Sequence, residues 1–417
     1  MSDVGDLLRF LDASPSPSHA VEAAVARLLP RDFVRIDRTT ATIDDFRSTK
    51  GVLTHHGAVI AWSWPSTAGP DAGALFVGAH TDSPCLRLKP NPNSHAAGVA
   101  LLEVEVYGGA LLNSWLDRDL GAAGVVHGAD GHRRLIDVRQ PIARIPQLAI
   151  HLDRDVNDKG LLLNRQTHIR PMWSGGTGDI LDVLGIRNGE TFEVVLYDTT
   201  PAALVGANGD FIASGRLDNL ASCWAAVDAL SAHSSGDAGG RPVVVCLFDH
   251  EEVGSESTTG AAGPLLEHVI AELLRARGLG DERFAFLGRS LCISADNAHA
   301  LHPNYPERHD PNHAPIVNRG PALKFNANQR YATSAAGAGA VRKAASEANI
   351  ALQTFVSNNT MPCGSTIGPI TATRLGIETV DIGIPQLAMH SARETCGASD
   401  PTALRDLLLS VAASAIY

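Results

Sequence analysis

The chain has 417 residues, which is too long for a single small core and predicts two or three domain-sized units. Its 34 Lys and Arg residues stand against 45 Asp and Glu residues, and the net charge of −11 argues against nucleic acid or an anionic membrane as the main partner. The six cysteines are scattered without a C-x-x-C pair, which is typical of free thiols in a reducing compartment. We recognise neither a signal peptide nor a long uncharged apolar run, so we expect a soluble, cytoplasmic protein.

The first candidate metal-binding residue follows a predicted buried strand. Residues 73–79 (Gly-Ala-Leu-Phe-Val-Gly-Ala) form an apolar run, and His80, Thr81 and Asp82 come directly after it. Open α/β sheets bind ligands at the carboxyl ends of their parallel strands. Taken alone, His80 is either a structural histidine or a metal ligand whose ring is oriented by a nearby carboxylate. The sequence leaves both interpretations open here.

A change of pattern then indicates an inserted unit. From about residue 93 the apolar segments become short and alternating, and turn residues such as Gly108-Gly109 separate them. We therefore predict a mainly β domain at residues 93–192, inserted into an α/β domain formed by residues 1–92 and 193–417. His151 ends an apolar stretch of this insertion and, taken alone, is interpreted as a structural histidine.

Acidic residues accompany the return of the α/β pattern. Asp218 opens a helical segment, where it is either an N-cap or a carboxylate that bridges two metal ions. Residues 243–248 predict another buried strand, which is followed at once by 249–252 (Asp-His-Glu-Glu). Adjacent glutamates form either a solvated turn or a pair with separate roles. In the second case Glu252 binds a metal and Glu251 acts as general base toward metal-bound water.

Two later strand ends complete a possible metal centre. The apolar run 290–295 ends at Asp296, and a strand near residues 380–384 leads to His390. Nitrogen and oxygen ligands without thiolates suit Zn²⁺ in a catalytic site, although Mn²⁺ or Co²⁺ also binds such ligands. The motifs H-E-x-x-H and G-x-S-x-G and the phosphate-binding loop are not found. The spacing favours a metallohydrolase whose ligands are His80, Asp218, Glu252, Asp296 and His390.

Several longer blocks, in order along the whole chain, resemble those of a known family. The blocks include Gly78-Ala-His-Thr-Asp-Ser-Pro84, Arg216-Leu-Asp-Asn219, Asp249-His-Glu-Glu-Val-Gly-Ser255, Lys324-Phe-Asn-Ala-Asn-Gln-Arg-Tyr331 and Pro385-Gln-Leu-Ala-Met-His-Ser391. With them the chain resembles the aspartyl aminopeptidases, a branch of the dinuclear zinc exopeptidases. The resemblance implies a three-layer α/β catalytic domain with a mixed sheet and an inserted, mainly β dimerisation domain. The insertion is compact between residues 153 and 176, where loops of longer relatives are trimmed.

The resemblance also implies roles at the metal centre. Two zinc ions per subunit would share one carboxylate. The first would be held by His80, Asp218 and Asp296, and the second by Asp218, Glu252 and His390. A hydroxide that bridges the ions would attack the peptide, with Glu251 as general base and Asp82 orienting His80.

Substrate contacts are implied for four further residues, which are His151, His299, Lys324 and Tyr331. The family releases N-terminal Asp or Glu, and Lys324 would meet the acidic side chain. Taken alone, Lys324 is better explained as a surface lysine, and only its place in the motif favours the substrate contact. His151 would reach from the insertion into the active site of a partner subunit, and an alternative assignment makes it a zinc ligand. The family forms dimers that assemble into tetrahedral dodecamers.

Three other functions remain open alternatives. A broad or neutral aminopeptidase would release Leu or Ala as readily as Asp or Glu. A deacylase of N-acyl amino acids would require no free substrate amine. A non-catalytic, zinc-dependent scaffold would keep the fold, and the substitution Glu251→Gln would leave its behaviour unchanged.

Overall fold

The computed structural model describes residues 3–69, 71–233 and 240–414. The helices of the described residues are α1 (Asp3–Asp12), α2 (Pro17–Leu28), α3 (Ile43–Arg47), α4 (Val156–Lys159), α5 (Ile180–Val183), α6 (Leu217–His233), α7 (Leu265–Ala276), α8 (Arg283–Gly288), α9 (Ala335–Glu347), α10 (Ile367–Leu375) and α11 (Asp400–Ala413).

The strands are β1 (Val34–Ile36), β2 (Lys50–His55), β3 (Ala58–Ser63), β4 (Leu75–His80), β5 (Cys85–Ala96), β6 (Val99–Tyr107), β7 (Leu120–His127), β8 (Arg133–Ala143), β9 (Met172–Ser174), β10 (Thr191–Asp198), β11 (Ala203–Val205), β12 (Phe211–Ser214), β13 (Val243–Phe248), β14 (Leu291–Ala295), β15 (Ala298–His299), β16 (Ala322–Phe325), β17 (Gln353–Val356), β18 (Glu378–Gly383), β19 (Pro385–Leu387) and β20 (Glu394–Gly397).

The largest sheet has nine strands in the order β1-β2-β3-β13-β4-β14-β18-β16-β17. Its central strands β13, β4, β14 and β18 run parallel to one another, whereas β3 and β16 pair antiparallel to this group. The sheet is therefore mixed, as predicted. Because its central strands are parallel and adjacent, their carboxyl ends lie together at one edge.

The uninterrupted apolar run of β13 reflects burial on both faces of this sheet. Val243, Val245 and Leu247 pack into a core with α1, α2, α6, α9 and α11. The alternate residues Val244 and Cys246 pack into a second core, with α3, α7, α8 and α10. Successive strand residues point to opposite faces, so a strand covered on both sides needs apolar residues throughout. This arrangement confirms the predicted three-layer α/β class.

A second sheet of six strands, in the order β8-β7-β10-β5-β6-β9, has a hydrophobic core of its own. All its pairings are antiparallel, in keeping with the predicted mainly β insertion. The predicted limits at residues 93 and 192 fall inside β5 and β10, and the sheet extends from Cys85 to Asp198. The turn-like prolines near residue 90 lie beside a register shift in β5, where a strand tolerates them.

A small third sheet contains five short strands from residues 203–397. Its order is β11-β12-β20-β19-β15, and it brings β20 beside β12 and β19. All six cysteines are free thiols. Among the described residues, none of the helices combines the length and the apolar character needed to cross a membrane.

Candidate active site

The predicted metal ligands meet at the carboxyl edge of the large sheet. His80 is the last residue of β4, Asp296 follows β14, and Glu252 follows β13 after a tight turn. Strand β4 lies between β13 and β14 and runs parallel to both, so these three side chains project from neighbouring strand ends. Asp218 and His390 reach the same place from the start of α6 and from the loop after β19.

The first group of candidate ligands consists of His80, Asp218 and Asp296, all of them buried. Their ligand atoms lie within 4.8 Å of one another. The His80 Nε2 atom is 3.5 Å from Asp218 Oδ1 and 3.8 Å from Asp296 Oδ1. Two carboxylates facing one imidazole nitrogen are a geometry that a divalent cation satisfies by binding between them.

The second group shares Asp218 with the first and adds Glu252 and His390. The His390 Nε2 atom lies 3.6 Å from Asp218 Oδ2 and 3.4 Å from Glu252 Oε2. Asp218 therefore turns one oxygen toward each histidine, as a bridging carboxylate does. This arrangement places two ligand groups side by side with a common member.

Two buried oxygens of these groups support the assignment to cations. Asp218 Oδ1 and Glu252 Oε1 have no hydrogen-bond partner in the structure. An unpaired buried carboxylate oxygen is costly, and a bound cation removes that cost. The donor set of imidazoles and carboxylates, without thiolates, also fits zinc. The residues present thus fit two metal ions.

The pKa values of the site residues also indicate that the site favours a positive charge. Burial raises the pKa of Glu252 well above its usual range, and the charge of Asp218 raises it further. Burial alone would lower the pKa of His390, but Asp218 and Glu252 raise it to about 10. In the absence of a metal, the histidines therefore hold protons that a cation must displace.

Glu251 lies beside both groups. Its Oε2 atom is 3.9 Å from His80 Nε2, and it forms a third, alternative ligand group with His80 and Glu252. Burial raises the pKa of Glu251 to about 8, with further contributions from the charges of Asp296 and Asp218. A carboxylate with a raised pKa next to the metal positions has the properties of a general base.

Three further residues support the ligands and were not identified from the sequence. Glu394 is buried, and it accepts hydrogen bonds from the main-chain N–H groups of Asp218 (2.9 Å) and His390 (2.6 Å). Tyr107 donates to Asp82, and the carbonyl of Gly109 accepts from His390 Nδ1. Glu394 is four residues beyond His390, so its proximity to the ligand was the one signal available in the sequence.

Asp82, which was predicted to orient His80, lies against the His80 ring. The His80 Nδ1 atom lies 3.0 Å from the Asp82 carbonyl oxygen and 3.4 Å from its carboxylate. The carboxylate also accepts the main-chain N–H groups of Glu251 and Glu252, each at 3.1 Å. Asp82 thus links the histidine ligand on β4 to the acidic turn after β13.

A cavity of about 390 Å³ opens over the candidate ligands. Lys324, Tyr331 and His299, which were predicted to contact substrate, all line it. Lys324 is only 1% exposed, which excludes the alternative of a surface lysine. Its Nζ donates to the carbonyls of Asp296 (2.9 Å) and Asn297 (3.1 Å) and lies 4.7 Å from the centre of the Tyr331 ring.

His151 is not part of this assembly of side chains. It lies in an exposed turn of the inserted unit, at Ile150–Leu152. It belongs to none of the described ligand groups and does not line the cavity. Within a single chain, the structure does not bring His151 to the site.

A three-layer α/β domain with adjoining candidate ligand groups at the carboxyl edge of its sheet is typical of metal-dependent hydrolases. The chain belongs to the M18 family: the family model described as aminopeptidase I zinc metalloprotease (M18) matches residues 10–409. The resemblance seen in the sequence is thereby confirmed at the level of this family, whose members are zinc metalloaminopeptidases.

Similar proteins agree with this assignment. A "Probable M18 family aminopeptidase 2" of Streptomyces coelicolor is 48% identical over 421 residues, covering 97% of this chain and 96% of the relative. The structure titled "Cryo-EM structure of the Ape4 and Nbr1 complex" superimposes with a TM-score of 0.92 at 34% identity, covering 98% of this chain and 84% of the other. The mApe1 dodecamer of S. cerevisiae gives a TM-score of 0.84 at 25% identity, with coverages of 98% and 95%.

Proposed function

We propose that the protein is a dinuclear zinc aminopeptidase that releases N-terminal Asp or Glu from peptides. The observation that carries this proposal is the shared carboxylate of Asp218, which turns one oxygen to each of two ligand groups. The first metal would be held by His80, Asp218 and Asp296. The second would be held by Asp218, Glu252 and His390.

The chemistry divides between the metals and the side chains. Zinc, when bound, polarises the scissile carbonyl and lowers the pKa of water. Glu251 takes the proton from the attacking water and delivers it to the leaving amine, and its raised pKa suits this exchange near neutral pH. Asp82 keeps the His80 ring oriented, since it contacts Nδ1 while Nε2 faces the ligand group.

Acid selectivity would come from Lys324. It is the one Lys or Arg among the described residues that line the cavity. Two of its three N–H bonds are directed to main-chain carbonyls, which leaves one for a substrate carboxylate. Two divalent cations would offset the charges of Asp218, Glu251, Glu252 and Asp296, so the charge of Lys324 remains to attract an acidic side chain in a desolvated cavity.

The same lysine also supports a second candidate, a neutral aminopeptidase. Lys324 Nζ lies 3.7 Å from Asp296 Oδ2 in addition to its two carbonyl partners. A lysine satisfied in this way can be a structural support for the ligand Asp296. The two functions differ in one measurable property, the preference for acidic over neutral N-terminal residues.

The deciding experiment measures release of the N-terminal residue from Asp-, Glu-, Ala- and Leu-peptides, before chelation, after chelation and after zinc is restored. We expect zinc-dependent release that strongly favours Asp and Glu. Equal release of all four would retain the metal centre and establish the neutral aminopeptidase. A folded, zinc-loaded protein that releases none of them would contradict both proposals and favour the scaffold.

A substitution then tests the specificity determinant. Lys324→Met keeps the aliphatic stem and removes the charge, so the ratio of kcat/KM for Asp- over Leu-peptides should fall by about 30-fold or more. The ratio is insensitive to the fraction of folded enzyme, since both substrates report on the same sample. Lys343→Met, on the exposed face of α9, is the matched control and should leave the ratio unchanged. An unaltered ratio in Lys324→Met would refute the role of Lys324.

We also propose a homo-oligomer in which His151 contacts the active site of a neighbouring subunit. The turn that carries His151 and the chain on either side of it expose large apolar side chains, with Leu148 at 62%, Leu152 at 73% and Leu162 at 90% exposure. Exposed apolar groups of this kind mark surfaces that other chains cover. The structurally similar mApe1 forms a dodecamer, and the same assembly, built from dimers through residues 93–192, is proposed here.

We further propose a cytoplasmic location, with which the free cysteines agree.

A further inference from the structure

The inserted unit reaches the metal centre at residues 107–109 (Tyr-Gly-Gly). Tyr107 is the last residue of β6 and belongs to the second sheet. Its hydroxyl nevertheless donates a 2.7 Å hydrogen bond to Asp82 Oδ2 in the catalytic domain. Asp82 is 1% exposed, so this bond is made away from solvent. A buried bond to a carboxylate is among the stronger hydrogen bonds in proteins.

Tyr107 acts on a carboxylate that already supports three parts of the site. The Asp82 carboxylate accepts the N–H groups of Glu251 and Glu252 and lies 3.4 Å from His80 Nδ1. The Tyr107 hydroxyl provides the remaining short contact on Oδ2. Removing the hydroxyl leaves the Asp82 carboxylate held only by the two N–H groups of the acidic turn and by the His80 ring, so its position is less well fixed.

The two glycines bring the backbone of the turn against the second ligand group. Gly108 has a φ of 68°, and a Cβ atom there would lie 3.1 Å from Glu252 Cβ. A Cβ on Gly109 would lie 3.1 Å from His390 Nδ1, the atom that donates to the Gly109 carbonyl at 3.1 Å. A side chain at either position would therefore push on a ligand.

The segment after this turn fixes the chain around His390. The main-chain N–H of Leu111 donates to the His390 carbonyl at 2.9 Å, and the N–H of Ala392 donates to Ser114 Oγ at 2.8 Å. His390 itself has a positive φ of 67°, a conformation that its surroundings must hold. The inserted unit thus supports His390 on both sides.

We propose that residues 107–109 of the inserted unit are part of the outer support of the metal centre, with Tyr107 a positioning residue for His80 and Gly109 for His390. This inference rests on the proposed dinuclear site and extends it. The insertion then has a second role that is independent of subunit assembly. It contributes to the support of both histidine ligands, of His80 by way of the Asp82 carboxylate and of His390 directly through the Gly109 carbonyl.

The test compares two tyrosine variants. Tyr107→Phe removes only the hydroxyl, and zinc affinity, measured by competition with a chromogenic chelator, should weaken by about 10- to 100-fold. Tyr197→Phe is the matched control. It lies in the same sheet and loses an equal 2.7 Å bond, to Asp137, which is not part of the metal centre. Its zinc affinity should stay within about twofold of wild type.

Kinetics and a second variant separate positioning from loss of folding. With saturating zinc, Tyr107→Phe should lower kcat while KM for the peptide stays unchanged. Gly109→Ala should lower the affinity for one of the two zinc ions and not for the other, since the added methyl group displaces only the His390 ring. Zinc affinities equal to wild type in both variants would overturn the inference. Wild-type protein that binds fewer than two zinc ions would instead count against the proposed dinuclear site.

Discussion

Substituting Glu251 by Gln should change activity and stability in opposite directions. The amide keeps the shape of the side chain but cannot accept the proton of the attacking water. We expect kcat for peptide release to fall by about 10²- to 10⁴-fold, the usual contribution of a positioned general base. Zinc content should be retained, because the ligand set proposed for the two ions does not include Glu251.

The stability effect follows from the raised pKa of Glu251. In the metal-free fold this pKa is about 8, against 4.5 for the unfolded chain, because the side chain is buried among other carboxylates. The folded state therefore binds a proton more tightly, and wild type loses stability as pH rises from 4.5 to 8. At about 1.4 kcal/mol per pKa unit, the cost of Glu251 grows from under about 1 kcal/mol at pH 5 to about 4 kcal/mol at pH 8.

Glutamine has no such cost, so the metal-free variant should be the more stable protein at high pH. For 417 residues, about 4 kcal/mol corresponds to a rise in Tm of about 5 °C at pH 8, with a rise of about 1 °C at pH 5. Thermal melts of the chelated proteins at the two pH values measure the difference. Glu256→Gln, an exposed glutamate of the same loop, is the control and should change neither kcat nor Tm. A Tm gain that is equal at both pH values would refute the reasoning from burial.

Three further outcomes are expected. Zinc affinity should rise by at least about tenfold per pH unit between pH 6 and 8, because the pKa of His390 is about 10 and its proton must leave before a metal binds; calorimetry in buffers of different ionisation enthalpy counts the protons released. Glu394→Gln should weaken zinc binding by about 10- to 100-fold in chelator competition, since an amide can accept only one of the N–H groups of Asp218 and His390, and a lost bond to a charged group costs about 1.5–3 kcal/mol. Removing zinc should lower Tm by about 6 °C, because two sites each filled at a hundred times their Kd contribute about 5 kcal/mol.

Three of the five candidate ligands could be proposed from the sequence because each lies at a local signal. His80, Glu252 and Asp296 come directly after apolar strands, so a pattern of a few residues indicates where they lie. The buried strands also predict a sheet covered on both faces, and the three-layer fold has that property. Local patterns were sufficient wherever the functional residue adjoins the element that positions it.

The supporting residues depend on contacts between distant parts of the chain. Gly109 and His390 are 281 residues apart, and Asp218 and Glu394 are 176 residues apart. No periodicity or spacing reports such a pair. The burial of Lys324 was likewise not predictable from the residues around it. They did not distinguish an exposed lysine from one whose ammonium donates to two main-chain carbonyls.

The order in which the chain is made has a consequence for the two ligand groups. The first ligand group is complete once synthesis has reached residue 296, since it consists of His80, Asp218 and Asp296. The second group is complete only when His390 has been added. Chains fold progressively from their amino-terminal part as they emerge from the ribosome. A chain that ends between residues 296 and 390 thus contains all three candidate ligands of the first group and two of the three of the second. With the proposed two-metal site, we expect such a chain to cleave no peptide, because it lacks His390 and the contact of His390 with Gly109.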